Sequence, residues 1–235
     1  MKKLQGLIAV VIILMIASVA QAATINGTGL QNILDSKTLG GTSSVDASGS
    51  SNSAIGTDAI WRQTASGGSF EVLMINSGNY SFGIFDSSNQ SNKIEIFSAN
   101  TALGQGRTFE ILMDGSVLVS ENYAGNFSTG SFGFYLSNGT DFLYSSDLLI
   151  DHMVAFQGTG DMFQPYINRN YGEWSANEYV LAWDWAGDAG FGANFTDYVL
   201  MVESVHPVPE PSSVLLLGGG LIGLGFAGYR RLQNK

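Results

Sequence analysis

An all-β fold, an antiparallel β-sandwich or jelly roll, is the architecture this sequence predicts, and three observations predict it. Between Ala59 and Glu203, eleven short runs rich in Phe, Tyr, Val and Ile alternate with segments of Gly, Asn, Asp and Ser. No part of that body carries the 3.6-residue apolar period of an amphipathic helix. An Asp-Gly pair at Asp114-Gly115 joins two of the runs. Asp-Gly is a strong hairpin signal, because both central residues of a type I′ turn take positive φ.

The chain opens with Lys2 and Lys3, an apolar run from Leu7 to Val19, and the small-x-small triplet Ala20-Gln21-Ala22. This pattern predicts a signal peptide over residues 1–22, cut between Ala22 and Ala23 after passage through the Sec translocase to signal peptidase. A retained N-terminal anchor is the alternative. Residues 23–58 are dominated by Ser, Gly, Thr and Asn, with the low-complexity stretch GGTSSVDASGSSNS at 40–53. Leu30, Ile33 and Leu34 suit one short helical turn, and the remainder reads as loop with too few apolar residues to bury. The β domain is therefore placed at 59–206.

Within it the runs begin at Ala59 (AIWRQ), Ser69 (SFEVLMIN), Tyr80 (YSFGIFD), Lys93 (KIEIFSA), Arg107 (RTFEILM) and Ser116 (SVLVSE). They continue at Ser131 (SFGFYL), Asp141 (DFLYS), Asp151 (DHMVAFQ), Glu178 (EYVLAWD) and Thr196 (TDYVLMVE). Frequent short strands with turn residues between them favour a sandwich over an open parallel sheet. No internal repeat of fixed period is present, so one domain is expected.

Charge is distributed unevenly. The body holds five basic residues (Lys37, Arg62, Lys93, Arg107 and Arg169) against nineteen acidic ones, a balance near −14. Such a surface repels nucleic acid and anionic lipid, and is compatible with divalent cations or with solubility alone. The chain contains no cysteine, which excludes disulfides, thiolate metal sites and cysteine nucleophiles.

The C-terminal stretch 207–235 has three parts in order. Pro209-Glu210-Pro211 is a rigid break, because each proline fixes φ and lacks a backbone donor. Ser212 to Tyr229 runs for 18 residues without a charge, and Arg230, Arg231 and Lys235 follow. At about 1.5 Å per residue such a helix spans roughly 27 Å, enough for a hydrocarbon core. A transmembrane helix over 212–229 is expected, with Arg230 and Arg231 stopping it on the cytoplasmic side. Gly219, Gly223 and Ala227 give that helix a small-residue face, and the G-x-G-x-x-G at Gly218 to Gly223 belongs to the same packing pattern. A buried helix of a soluble domain is the alternative.

Val208 to Ser212 (VPEPS), the Gly/Leu-rich span and the terminal Tyr229-Arg230-Arg231 together resemble the PEP-CTERM sorting signal of Gram-negative bacteria. The resemblance implies recognition of Pro209, Glu210 and Pro211 by an exosortase at the outer face of the inner membrane. It also implies a transient membrane anchor, then delivery to the cell surface or to an extracellular polysaccharide matrix such as that of a biofilm.

The most informative body segment is Glu178 to Val205. Two apolar runs flank a Gly/Asp loop, and Asp184, Asp188 and Asp197, with Asn194 and backbone carbonyls, are candidate ligands for Ca2+, which takes six to eight oxygens. The segment is similar to the C-terminal hallmark of exported bacterial domains of unknown function that often precede such tails. The likeness runs through Val180 to Asp184, Asn194 to Val199 and Val202-Glu203-Ser204, with Asp151-His152-Met153 and Phe156-Gln157-Gly158 before them. Trp185 and Asn194 replace acids usual in that pattern, which weakens the implied calcium site.

Trp61, Trp174, Trp183, Trp185, Tyr166 and Tyr171 are candidates for a sugar-stacking platform of a lectin-like module; filling the core is the competing role. Catalysis has little support. The only histidines are His152 and His206, and neither G-x-S-x-G nor H-E-x-x-H occurs. A non-enzymatic exported protein is expected.

Overall fold

The computed structural model describes residues 28–48, 59–64, 68–147, 152–166, 170–185 and 194–208. The described residues of 28–208 belong to one compact unit; the expected signal peptide (1–22) and transmembrane helix (212–229) lie outside the described residues. No helix among the described residues is long and apolar enough to cross a membrane.

The body is an antiparallel β-sandwich. Among the described residues, helix α1 (Gly29–Lys37) is followed by β1 (Trp61–Gln63), β2 (Ser69–Asn76), β3 (Ser81–Asp86), β4 (Asn89–Phe97) and β5 (Gly106–Ile111). They are followed by β6 (Ser116–Val119), β7 (Asn122–Asn126), β8 (Ser131–Ser137), β9 (Phe142–Tyr144) and β10 (Met153–Gln157). The series ends with β11 (Met162–Phe163), β12 (Gly172–Glu173), β13 (Glu178–Trp183), β14 (Tyr198–Glu203) and β15 (Val205–Pro207). Each of the eleven expected runs contains a strand. The first sheet has the order β15-β1-β8-β3-β4, with β9 also on β8, and the second has β10-β13-β14-β2-β5-β6-β7.

Side-chain alternation explains how the second sheet is buried on two faces. Tyr179, Leu181 and Trp183 of β13 lie directly across from Val202, Leu200 and Tyr198 of β14, and all six enter the core between the sheets. Val180, Ala182, Val199 and Met201 point the other way, into a second core. A bulge opposite Val199 and Leu200 shifts the register of β2, so Leu73 faces inward while Met74 joins the outer core.

That outer core takes in residues before position 59. Leu30 and Leu34 of α1, with Val45 and Ala47, pack onto Val154, Phe156, Val180 and Met201, alongside Phe163 and Trp174 of the β11–β12 hairpin. The segment within 23–58 that reads as loop therefore forms part of a third layer. Few apolar residues suffice because polar bonds hold them in place. Gln31 accepts from the Ala47 N–H at 2.6 Å and donates to the Val45 carbonyl at 3.1 Å. Asp161 accepts from Ser43 Oγ at 3.0 Å and from the Ser44 N–H at 2.8 Å.

The Asp114-Gly115 hairpin forms, but not through a type I′ turn. Positive φ occurs there only at Gly115 (86°), the Gly115 N–H bonds the Leu112 carbonyl, and the Leu112 N–H bonds the Ser116 carbonyl. This is a type I turn closed by a left-handed glycine. Asp114 closes an Asx turn, its Oδ1 accepting from the Ser116 N–H at 2.9 Å.

Candidate functional site

The loop between β13 and β14 is built on the two acids that bound it. Asp184 follows the last residue of β13 and is buried. Its N–H bonds the His152 carbonyl at 3.1 Å, and its Oδ2 accepts from the Asn194 N–H at 2.8 Å and the Phe195 N–H at 3.4 Å. Asp197 precedes β14 and reaches back across the loop. Its Oδ2 accepts from the Trp185 N–H at 2.9 Å, and its N–H bonds the Trp183 carbonyl at 3.1 Å. Each acid thus ties down the far end of the loop through backbone donors.

Three residues remote in sequence complete this arrangement. Ser77, just after β2, donates its N–H to the Asp197 carbonyl at 2.8 Å and its hydroxyl to Asp197 Oδ1 at 3.3 Å. Tyr80 stacks on the Trp185 indole with centroids 4.8 Å apart and planes 19° apart. Burial pushes the Tyr80 phenol up, and the Asp197 and then the Asp184 carboxylate push it further. His152 is buried, with Nδ1 3.2 Å from the Asp184 carbonyl oxygen. No local sequence signal marks Ser77 or Tyr80 for this role, because the β2–β14 ladder brings them here.

Asp188 lies outside the described residues. The Asn194 side chain, counted among the candidate calcium ligands, accepts from the Thr196 N–H at 3.1 Å and hydroxyl at 2.9 Å. Among the described residues no group of three or more His, Asp or Glu side chains is placed to hold a metal. The arrangement accounts for Asp184 and Asp197 as loop-closing acceptors.

The aromatic candidates divide sharply. Trp61, Trp174 and Trp183 are fully buried and offer no ring to a sugar. Trp61 meets Phe134 and Tyr179 edge-on, and Trp174 packs on Phe163 at 4.8 Å. Trp185 and Tyr166 are half-buried, and Tyr171 is exposed. A platform of all six residues is therefore excluded.

The unit closes with β15, which pairs antiparallel with β1, and the Val208 N–H bonds the Ile60 carbonyl at 2.7 Å. The chain beyond is where the sequence changes character, and a family comparison covers it from residue 207 to residue 231. It carries a PEP-CTERM protein-sorting motif. PEP-CTERM sorting makes this an exported protein, anchored in the membrane before an exosortase processes it. The PEP-CTERM match includes Pro209, Glu210, Pro211, Arg230 and Arg231, which, like Ala20, Ala22 and Ala23, lie outside the described residues. No curated protein matches the chain.

Proposed function

We propose that the protein is a non-enzymatic component of the cell surface or extracellular polysaccharide matrix, with the β-sandwich as the delivered cargo. The observation carrying this reading is the junction at β15. The last strand of the sandwich ends at Pro207, where the matched sorting motif begins, so removal of the tail leaves the folded unit whole. A cysteine-free, acidic body suits an exposed location without disulfide chemistry. The buried histidine supports a structural assignment, since His152 sits against the backbone that seats the 184–197 loop.

Mass spectrometry of the native protein from exosortase-expressing cells tests it. The expected result is a mature chain lacking Tyr229-Arg230-Arg231, recovered from the surface or matrix fraction. An intact tail, or protein confined to the inner membrane, overturns it.

A second reading is weak calcium binding at the same loop, favoured by the position of Asp184 and Asp197 at its two ends, both acting on the Tyr80 phenol. Binding confined to the folded form would raise the melting midpoint with millimolar calcium. Equal midpoints with calcium and with chelator reject it.

A further inference from the structure

Glu71 stands near the middle of β2 with its side chain between the two sheets. Its same-face neighbours fix that orientation: Leu73 belongs to the inter-sheet core, and Ser69 Oγ accepts from Gln63 Nε2 of the opposite sheet at 3.2 Å. Glu71 is fully buried, and neither carboxyl oxygen has a hydrogen-bond partner among the described residues. Directly across from it lie Val202 on β14 and Arg107 on β5. Val202 is core, whereas Arg107 is exposed. Two further polar atoms of this interior, the Tyr198 hydroxyl and Trp183 Nε1, are likewise buried without a partner. An ionised carboxylate in such surroundings loses its hydration and gains nothing in return, while a neutral acid loses far less.

We propose that Glu71 is a proton-operated latch: the packed sandwich holds the neutral acid, and as pH rises its release of a proton to solvent loosens the β2–β5 ladder, where Arg107 receives the carboxylate. The titratable groups turned toward this space are Arg107 on β5, Tyr198 on β14 and Tyr179 on β13. Glu71 acts on Tyr198, as does Glu95, which is exposed and faces away, between the core residues Ile94 and Ile96 of β4. Glu178, Glu203 and Glu110 occupy the opposite strand parity and face away. Burial drives the Glu71 carboxyl well up from its ordinary range. The sign follows directly: stability is fully present below the ordinary glutamate range of about 4 and is lost as pH rises through the folded value. This inference rests on export, which exposes the body to external pH, and not on the matrix role.

The test is denaturant unfolding of the full chain in detergent from about pH 5 to about pH 9, beside Glu71→Gln and Glu71→Leu. In the titrating window one proton costs the wild type about tenfold in folding equilibrium constant per pH unit, and both variants lack that slope. Hydrogen exchange at β2 and β5 amides of the wild type rises with it. Parallel pH profiles for wild type and Glu71→Gln overturn the proposal. Should the variants fail to fold, infrared spectroscopy of the wild type near pH 6 decides, since ordinary carboxylic acids are ionised there. A neutral-acid carbonyl band that disappears on raising pH supports the latch, and carboxylate bands alone refute it.

Discussion

Asp197 holds the Trp185 backbone N–H on its Oδ2 at 2.9 Å, so the acid that ends the loop secures the residue that begins it. Asp184 does the reverse, with the Asn194 N–H at 2.8 Å. These reciprocal bonds account for both acids without a cation. Asp184→Ala removes the acceptor for two amides, one of them the buried Phe195 N–H. An expected loss of about 1–3 kcal/mol follows from leaving such donors unmade. Asp197→Ala should cost less, since its Ser77 and Trp185 contacts are less enclosed. Chemical denaturation in chelator measures both losses, and their persistence there separates loop closure from calcium loss.

Asp86 should dominate the acid limb of stability. Burial acts to raise its carboxyl, but hydrogen bonds from Ser128 and Ser88 overcome this and hold it below the ordinary range. Oδ1 accepts from the Ser88 N–H at 2.9 Å and Oγ at 2.8 Å, and Oδ2 accepts from the Ser128 N–H, joining the β3–β4 turn to the β7–β8 connection. With the folded value depressed, the stabilisation is present above about pH 4 and fades as pH falls through the folded value. Asp86→Asn should destabilise at neutral pH by about 1–3 kcal/mol. It should also flatten the acid limb, read by thermal melts at descending pH.

Legibility in the sequence followed how local each signal was. β13 and β14 were visible because their apolar residues stand together in short runs. Their burial on both faces was not, since the outer core holding Val180 and Val199 draws on Phe163 and Trp174 and on four apolar side chains of a Ser- and Gly-rich segment, Leu30, Leu34, Val45 and Ala47. β7 (NYAGN) has no apolar alternation and exists because β6 pairs with it. Asp184 and Asp197 were recognisable as acids flanking a glycine-containing loop. Ser77, 120 residues away from Asp197, was not, because its place depends on the β2–β14 register.

The buried tryptophans make a prediction opposite to that of a sugar platform. Trp174 is enclosed in the outer core, with Nε1 donating to the Glu178 carbonyl at 3.1 Å. Trp183 fills the inter-sheet core beside Phe82. Trp174→Ala and Trp183→Ala should each cost about 3–5 kcal/mol, a large part of a typical domain's stability. Circular dichroism melts of both variants provide the measurement. A folded variant of unchanged midpoint that has lost glycan binding would contradict the packing role.

The last prediction concerns the segment before the sandwich. Leu34 of α1 is fully buried in the outer core. α1 has 9 residues, a length at which an isolated helix is marginal in water, so its order must come from docking. Leu34→Ala removes part of that docking surface and should cost about 2–5 kcal/mol. Deleting residues 23–58 is more severe, because it uncovers Val154, Phe156, Val180 and Met201 together. A contiguous apolar face of this kind promotes association. The shortened chain should therefore aggregate or bind a hydrophobic dye while retaining β-type circular dichroism. Size-exclusion chromatography of the two chains at equal concentration is the check. A monodisperse chain lacking 23–58, with an unchanged melting midpoint, would mean that this segment contributes nothing to the outer core.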